Sequence, residues 1–246
     1  MRELRIMGKT NMQTIKYLIC LFTLLVVLIT VFQSETNTYP SNGAINWKGQ
    51  DWYLMGGRSD PGDNYWNKTG AWIDNQNKLH LTVVKDKGIW KCTTLMSQDT
   101  YLYGTFTWKV ASPVYTFDKN SVVGLFTYLS DSQELDIETT KWGKTEGNQL
   151  WYSVQPAKTE GNTQGYQVPL SITGTDTIYR IEWKPTYVRF TSMKENGEII
   201  ANLNYTNVSG IPQQPEKVMM NLWLLAPPSD GKNIELIISD FTINND

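Results

Sequence analysis

Histidine and cysteine are nearly absent from this chain. There is one His and there are two Cys in 246 residues. Cys20 lies in a hydrophobic N-terminal run, so Cys92 stands alone in the rest. That excludes a disulfide inside the folded domain and any cysteine-built metal site. Cys92 reads as a small buried hydrophobe rather than a nucleophile. His80 takes a strand position in Lys78-Leu79-His80-Leu81-Thr82-Val83, which gives a His-based catalytic triad no support. Basic charge is also short: 22 Lys and Arg face 24 Asp and Glu, for a net charge of -2. Nothing there makes a footprint for nucleic acid. Helical periodicity is missing too. From Gly43 onward no stretch of helix length keeps apolar residues at a 3.6-residue spacing.

Aromatic residues are abundant instead. They make up 12% of the chain, with ten Trp and thirteen Tyr. A core alone rarely needs so many Trp, because indole is bulky and its N–H requires a partner. Flat aromatic faces suit stacking on sugar rings, while core and interface packing accounts for about half of the tryptophans.

Residues 1–34 fall outside the fold. Arg2, Arg5, Lys9 and Lys16 outweigh Glu3 in a basic leader, and an apolar run over 17–32 follows. That run is short for a bilayer span of about 20 residues and long for a signal core of about 7–15. Phe32-Gln33-Ser34 makes a poor cleavage site. Export is expected, either as a secreted protein or on the outer face of the membrane. A cleaved signal peptide and a membrane anchor through residues 17–32 both stay open. Residues 35–42 read as a short linker. Without the leader the remainder is more acidic, which suits a neutral polysaccharide better than an anionic one.

Period-two runs recur over 78–84, 103–110, 122–128, 179–183, 187–192, 218–225 and 234–238. Turn clusters separate them, such as Asp60-Pro61-Gly62-Asp63-Asn64 and Pro227-Pro228-Ser229-Asp230-Gly231. Asn196-Gly197 between apolar runs is a hairpin signal. Many short strands with regular turns predict an all-β sandwich or jelly roll, built as one domain over 43–246.

The most informative segment is Glu134-Leu135-Asp136-Ile137-Glu138. Alternation puts its three acids on one face of a strand. Like charges this close raise each other's pKa and cost stability, which a solvated outer face would tolerate. The apolar and aromatic neighbourhood argues instead for a site. Positions i and i+4 on a strand lie about 13 Å apart at Cα. Two Glu side chains leaning together can approach the ~5–5.5 Å of a retaining glycosidase, whereas an inverting one needs ~6.5–9.5 Å. One terminal Glu would attack the anomeric carbon. The other would protonate the leaving oxygen and later activate water. The central Asp can hydrogen-bond one of them and separate their pKa values. Spacing alone leaves the two Glu roles open.

These residues resemble glycoside hydrolase family 16, whose motif is Glu-x-Asp-x-Glu. The segment has the form without an extra residue, as in lichenases. The resemblance implies Glu134 as nucleophile, Asp136 as its assistant and Glu138 as acid/base. It also implies a concanavalin-like β-jelly roll of two antiparallel sheets with the cleft on one of them. Tyr103-Gly104-Thr105-Phe106 and Tyr179-Arg180-Ile181-Glu182-Trp183 resemble two further family strands. Met219-Met220-Asn221-Leu222-Trp223 resembles the strand whose Asn and Trp face the sugar, and alternation puts Asn221 and Trp223 on one face. Trp142, Trp151 and Gln155 follow the acidic strand closely and are candidates for the cleft lining, with loop packing an equal reading for Trp142 and Trp151. Asp240 resembles a structural calcium ligand of some members, though one carboxylate does not make a site.

There are departures. Lichenases carry Trp-Asp before the nucleophile, where this chain has Ser132-Gln133. Their Tyr-Gly strand offers Glu and Arg to substrate, where this chain has Thr107 and Lys109. The expectation is an endo-acting retaining hydrolase of β-glucan or a related cell-wall polysaccharide, monomeric and without a catalytic metal or organic cofactor. Transglycosylation at the same site and a non-catalytic, lectin-like binder are the alternatives.

Overall fold

The computed structural model describes residues 37–169, 172 and 176–245. The leader, with Cys20 and the apolar run over 17–32, lies outside the described residues. Among the described residues no helix is long and apolar enough to cross a membrane.

Seventeen strands, numbered in chain order, are described. The alternation seen in the sequence becomes half-buried strands. β8 (Gly104–Val110) and β13 (Thr177–Lys184) bury every second side chain along their length. The sheet of these two strands runs β5 (Ala71–Ile73), β6 (Leu79–Asp86), β17 (Ile234–Asn244), β8, β13, β14 (Tyr187–Lys194) and β15 (Ile199–Tyr205). Its Asn196-Gly197 hairpin closes as the sequence predicts, with Gly197 N–H on the Lys194 carbonyl at 3.0 Å.

The second sheet runs β1 (Ala44–Trp47), β2 (Gln50–Leu54), β7 (Ile89–Tyr101), β16 (Glu216–Leu224), β9 (Ser121–Ser130), β10 (Gln133–Thr140), β11 (Leu150–Val154) and β12 (Thr163–Tyr166). Neighbours within both sheets are antiparallel. A hairpin of β3 (Gly57–Ser59) and β4 (Asn64–Trp66) docks on β7, where β4 runs parallel to it. The result is the expected all-β sandwich of jelly-roll type.

Trp47, Trp52, Trp108 and Trp183 are fully buried in the core. The indole N–H of Trp183 reaches the Pro212 carbonyl at 3.1 Å, and that of Trp52 reaches the Trp47 carbonyl at 3.2 Å. Cys92 is buried, and desolvation pushes its thiol up to about 12, so it is inert packing. His80 lies between Glu235 at 3.0 Å and Asp74 at 3.3 Å, with its ring stacked on Trp72. No nucleophile adjoins it in those contacts.

Two expectations need correction. Within the expected linker over 35–42, the described residues 37–42 do not run free, because Thr38 exchanges backbone hydrogen bonds of 2.7 and 2.8 Å with Ile73 and Tyr39 stacks on Trp72. An edge strand as short as β5 leaves unpaired amides that a passing chain can satisfy. Thr107 and Lys109 lie on β8, in the sheet away from the cleft. Phe106, Trp108 and Val110 fill the core, so Thr107 and Lys109 point outward. Lys109 pairs there with Glu195 at 2.5 Å and Asp176 at 3.4 Å, and neither Thr107 nor Lys109 lines the cleft. Asp240 is half-exposed and pairs with Lys48 at 3.0 Å. Among the described residues no three His, Cys, Asp or Glu gather as a metal site. A calcium at Asp240 would need backbone carbonyls or water beyond this one carboxylate.

Candidate active site

A cleft of about 800 Å³ opens on the second sheet. β10 lies inside that sheet, between β9 and β11. A bulge at Gln133/Glu134 precedes the acids. Leu135 and Ile137 enter the core, so Glu134, Asp136 and Glu138 all face the cleft.

Cross-strand register arranges the floor in rows. Glu138 is flanked by Trp151 on one side and Gly124 on the other, and the row continues through Asn221 to Thr94. Asp136 is flanked by Ser153 and Phe126, and its row continues through Met219 to Met96. Glu134 faces Tyr128. Gly124 is required here: a Cβ on it would sit 2.4 Å from Asn221 Oδ1. Its bare backbone lets Asn221 lie beside Glu138. Asn221 is 6% exposed and its Oδ1 has no hydrogen-bond partner in the protein, so the cleft holds a desolvated acceptor.

The acids strongly perturb one another. Asp136 is buried, at 4% exposure, while Glu134 and Glu138 are half-buried. Burial raises all three pKa values first. Glu134 is raised further by the Asp136 charge and by donating a hydrogen bond to Asp136, then by Glu138 and Glu216. The proton is thus shared within the Glu134–Asp136 pair, which titrates as a unit. Two hydrogen bonds work in the other direction on Asp136, from Glu134 and from Gln155. Glu138 is raised to about 8 by burial and then by the charge of Asp136, so it carries a proton at neutral pH.

Gln155 is more than a lining residue. Its Nε2 donates to Asp136 Oδ2 at 2.9 Å, and its Oε1 accepts from the Ala157 amide at 2.6 Å. Both ends of the amide are engaged, which fixes the Asp136 carboxylate. Trp142, Trp151, Asn221 and Trp223 also line the cleft. Trp142 and Trp223 pack together at 6.1 Å. Trp151 Nε1 donates to the Thr140 carbonyl at 3.2 Å, and its ring lies across Gly165.

Sequence reasoning missed several members. Met55, Met96, Met219 and Phe126 give the floor an apolar surface, and Trp66, Asp60 and Pro61 form part of its lining. Met219 was findable, since it shares a face with Asn221. Glu216 was not. It is fully buried at the start of β16 and accepts from Thr127 Oγ1 at 2.5 Å, while its Oε1 has no partner. Burial, followed by the Asp136 charge, raises it to about 7 against the pull of the Thr127 hydrogen bond. Among the described residues, every charged one lining the cleft is an acid: Asp60, Asp131, Glu134, Asp136 and Glu138.

Comparisons with known proteins agree with this geometry. A β-glucanase of Brevibacillus brevis is 25% identical over 185 residues, which cover 65% of this chain. The chain spans 66% of that relative's length. Among solved structures, the β-glucanase of Bacillus licheniformis superposes with a TM-score of 0.64 at 17% identity, covering 87% of this chain and 99% of that one. The laminarinase of Flavobacterium sp. UMI-01 gives a TM-score of 0.63 at 16% identity, covering 79% of this chain and 93% of that one. At these identities the structures speak for the fold alone. The sequence pattern of glycosyl hydrolases family 16 matches residues 59–234, most of the chain, and the chain belongs to that family.

Proposed function

We propose that this protein is an endo-acting retaining glycosidase that cleaves a β-linked glucan or related cell-wall polysaccharide. The observation that carries this reading is the triplet Glu134, Asp136 and Glu138 on one face of β10 in an aromatic cleft. Glu134 attacks the anomeric carbon, and the proton it shared stays on Asp136. Glu138, protonated at neutral pH, gives its proton to the leaving glycosidic oxygen. A covalent glycosyl-enzyme results. Glu138, now a carboxylate, takes a proton from water, and that water displaces Glu134 from the sugar. The reaction as drawn uses no catalytic metal or organic cofactor. The glucanase and laminarinase relatives favour a β-glucan, and the all-acid cleft favours a neutral polymer. The basic leader supports export, secreted or held at the membrane through residues 17–32, and the chain is read as a monomer.

A panel of β-glucans tests the reading, with reducing ends counted and product stereochemistry followed by NMR. Retention of the β-anomer is expected, and inversion would overturn the mechanism. Glu134→Gln and Glu138→Gln should each abolish cleavage. Wild-type rates in both would overturn the assignment. Lengthened products with added acceptor would identify transglycosylation, and bound but uncut oligosaccharide a lectin-like binder.

A further inference from the structure

A second cavity, of about 400 Å³, lies against the cleft and is not used by the chemistry above. The two share a thin wall. In the loop between β3 and β4, Asp60 and Pro61 line the cleft, whereas Gly62 and Asp63 line the second groove. At the end of β16, Trp223 faces the cleft and Leu224 and Leu225 face the groove. A Cβ on Gly62 would sit 3.0 Å from Asn64 Nδ2 and 3.3 Å from the Trp223 ring, so the loop packs closely against the residues that divide the two spaces.

The groove has the chemistry of a sugar platform. Tyr65 is 39% exposed, and Trp90 is half-buried beside it, with one face covered by Lys85 Nζ at 5.7 Å. Ile89 and Leu225 are 47% and 46% exposed. Such flat apolar surface suits the C–H face of a pyranose. Arg58 stands opposite Tyr65 in the β3–β4 register and pairs with Asp63, its Nε donating to Asp63 Oδ1 at 2.6 Å. This pair presents fixed donors beside fixed acceptors, the pattern that two neighbouring hydroxyls require. Among the described residues lining the groove, Arg58 and Asp63 are the only charged ones and they pair with each other, while Lys85 lies over Trp90 nearby, so the lining suits a neutral ligand.

We propose that this groove is a second glycan-binding site that holds a neutral oligosaccharide segment of the polymer whose other part occupies the cleft. The proposal rests on the polysaccharide-hydrolase reading, and its test separates the two. Tyr65→Ala and Arg58→Ala are the variants, since both side chains are exposed and their loss leaves the core intact. Laminarin and a β-1,3-1,4-glucan serve as polymers and laminaritetraose as the short probe. Each variant should lower the polymer-to-tetraose ratio of kcat/KM about tenfold, the effect of removing about 1.4 kcal/mol of contact. Retardation in a gel containing the polymer should fall in parallel, with melting temperatures equal to wild type. An unchanged ratio together with unchanged retardation would overturn the groove. If wild type cuts no glucan yet is retarded in a way that Tyr65→Ala abolishes, the hydrolase reading fails and the groove stands.

Discussion

Replacing Glu138 with Gln should destroy activity and raise stability at neutral pH. The substitution keeps the side chain's shape and removes only its charge and proton. In the folded protein burial and the Asp136 charge raise Glu138 to about 8, from its ordinary value of 4.5. At pH 7 the unfolded chain leaves this carboxyl ionised, while folding forces it to hold a proton. Each pH unit over which folding holds that proton costs about 1.4 kcal/mol, so the ceiling at pH 7 is about 3 kcal/mol. Glu138 meets water in the cleft, which brings the expected gain to about 1–2 kcal/mol. For a domain of this size that is a rise of about 2–8 °C in melting temperature. The sign follows from linkage. Below about pH 4.5 Glu138 is protonated in both states and the variant gains nothing. Between there and about pH 8 the wild type loses stability as pH rises, and the variant escapes that loss. Differential scanning fluorimetry of both proteins from pH 4 to pH 8 reads this directly, with rate loss of about 10²–10⁴ as the companion measurement. Equal melting temperatures at pH 7, or the same difference at pH 4 as at pH 7, would refute the argument.

Other consequences can be checked in the same preparations. Gln155→Met removes the donor to the Asp136 carboxylate, so the Glu134–Asp136 pair should keep its first proton to higher pH. The acid limb of kcat/KM should move up by about one to two pH units, since a hydrogen bond to a charged group contributes about 1.5–3 kcal/mol. Glu216→Gln retains an acceptor for Thr127 and removes a carboxyl that ionises only near pH 7. It should leave the acid limb in place and keep or raise the melting temperature above pH 7, where the wild type carries the buried charge. Trp151→Ala strips the ring beside Glu138 and should raise KM about tenfold for a soluble glucan while changing kcat less, as for loss of uniform binding.

The chain's local rules carried far. β8 and β13 were legible because one face of each meets the core and the other meets water, so alternation is clean. β7 was harder to see. Its Leu95 faces the core and its Met96 faces the cleft, so apolar residues occur on both faces and the period blurs. The acidic triplet was legible for the opposite reason, since three carboxylates at spacing two have no cheap structural use. The Tyr-Gly resemblance matches Thr107 and Lys109 to substrate-facing residues, and alternation, which fixes the side of a strand and says nothing about its sheet, offers no check on that match. Glu216 reads in sequence as a solvated acid next to Lys217. Its burial comes from pairing with Tyr101 and contact with Thr127, partners 115 and 89 positions away. No window along the chain contains that information.

The acids sit on a strand bonded along both edges, with the core beneath and a cleft above. Opening the backbone at Asp136 or Glu138 therefore breaks two ladders at once and exposes Leu135 and Ile137. Amide hydrogens there should exchange only through unfolding of the whole sandwich, among the slowest in the protein, whereas the loops that carry Trp142 and Asp60 can open alone. On heating, the arrangement of the carboxylates will last as long as the fold itself. Loss of activity below the melting temperature would then point to those loops and not to β10.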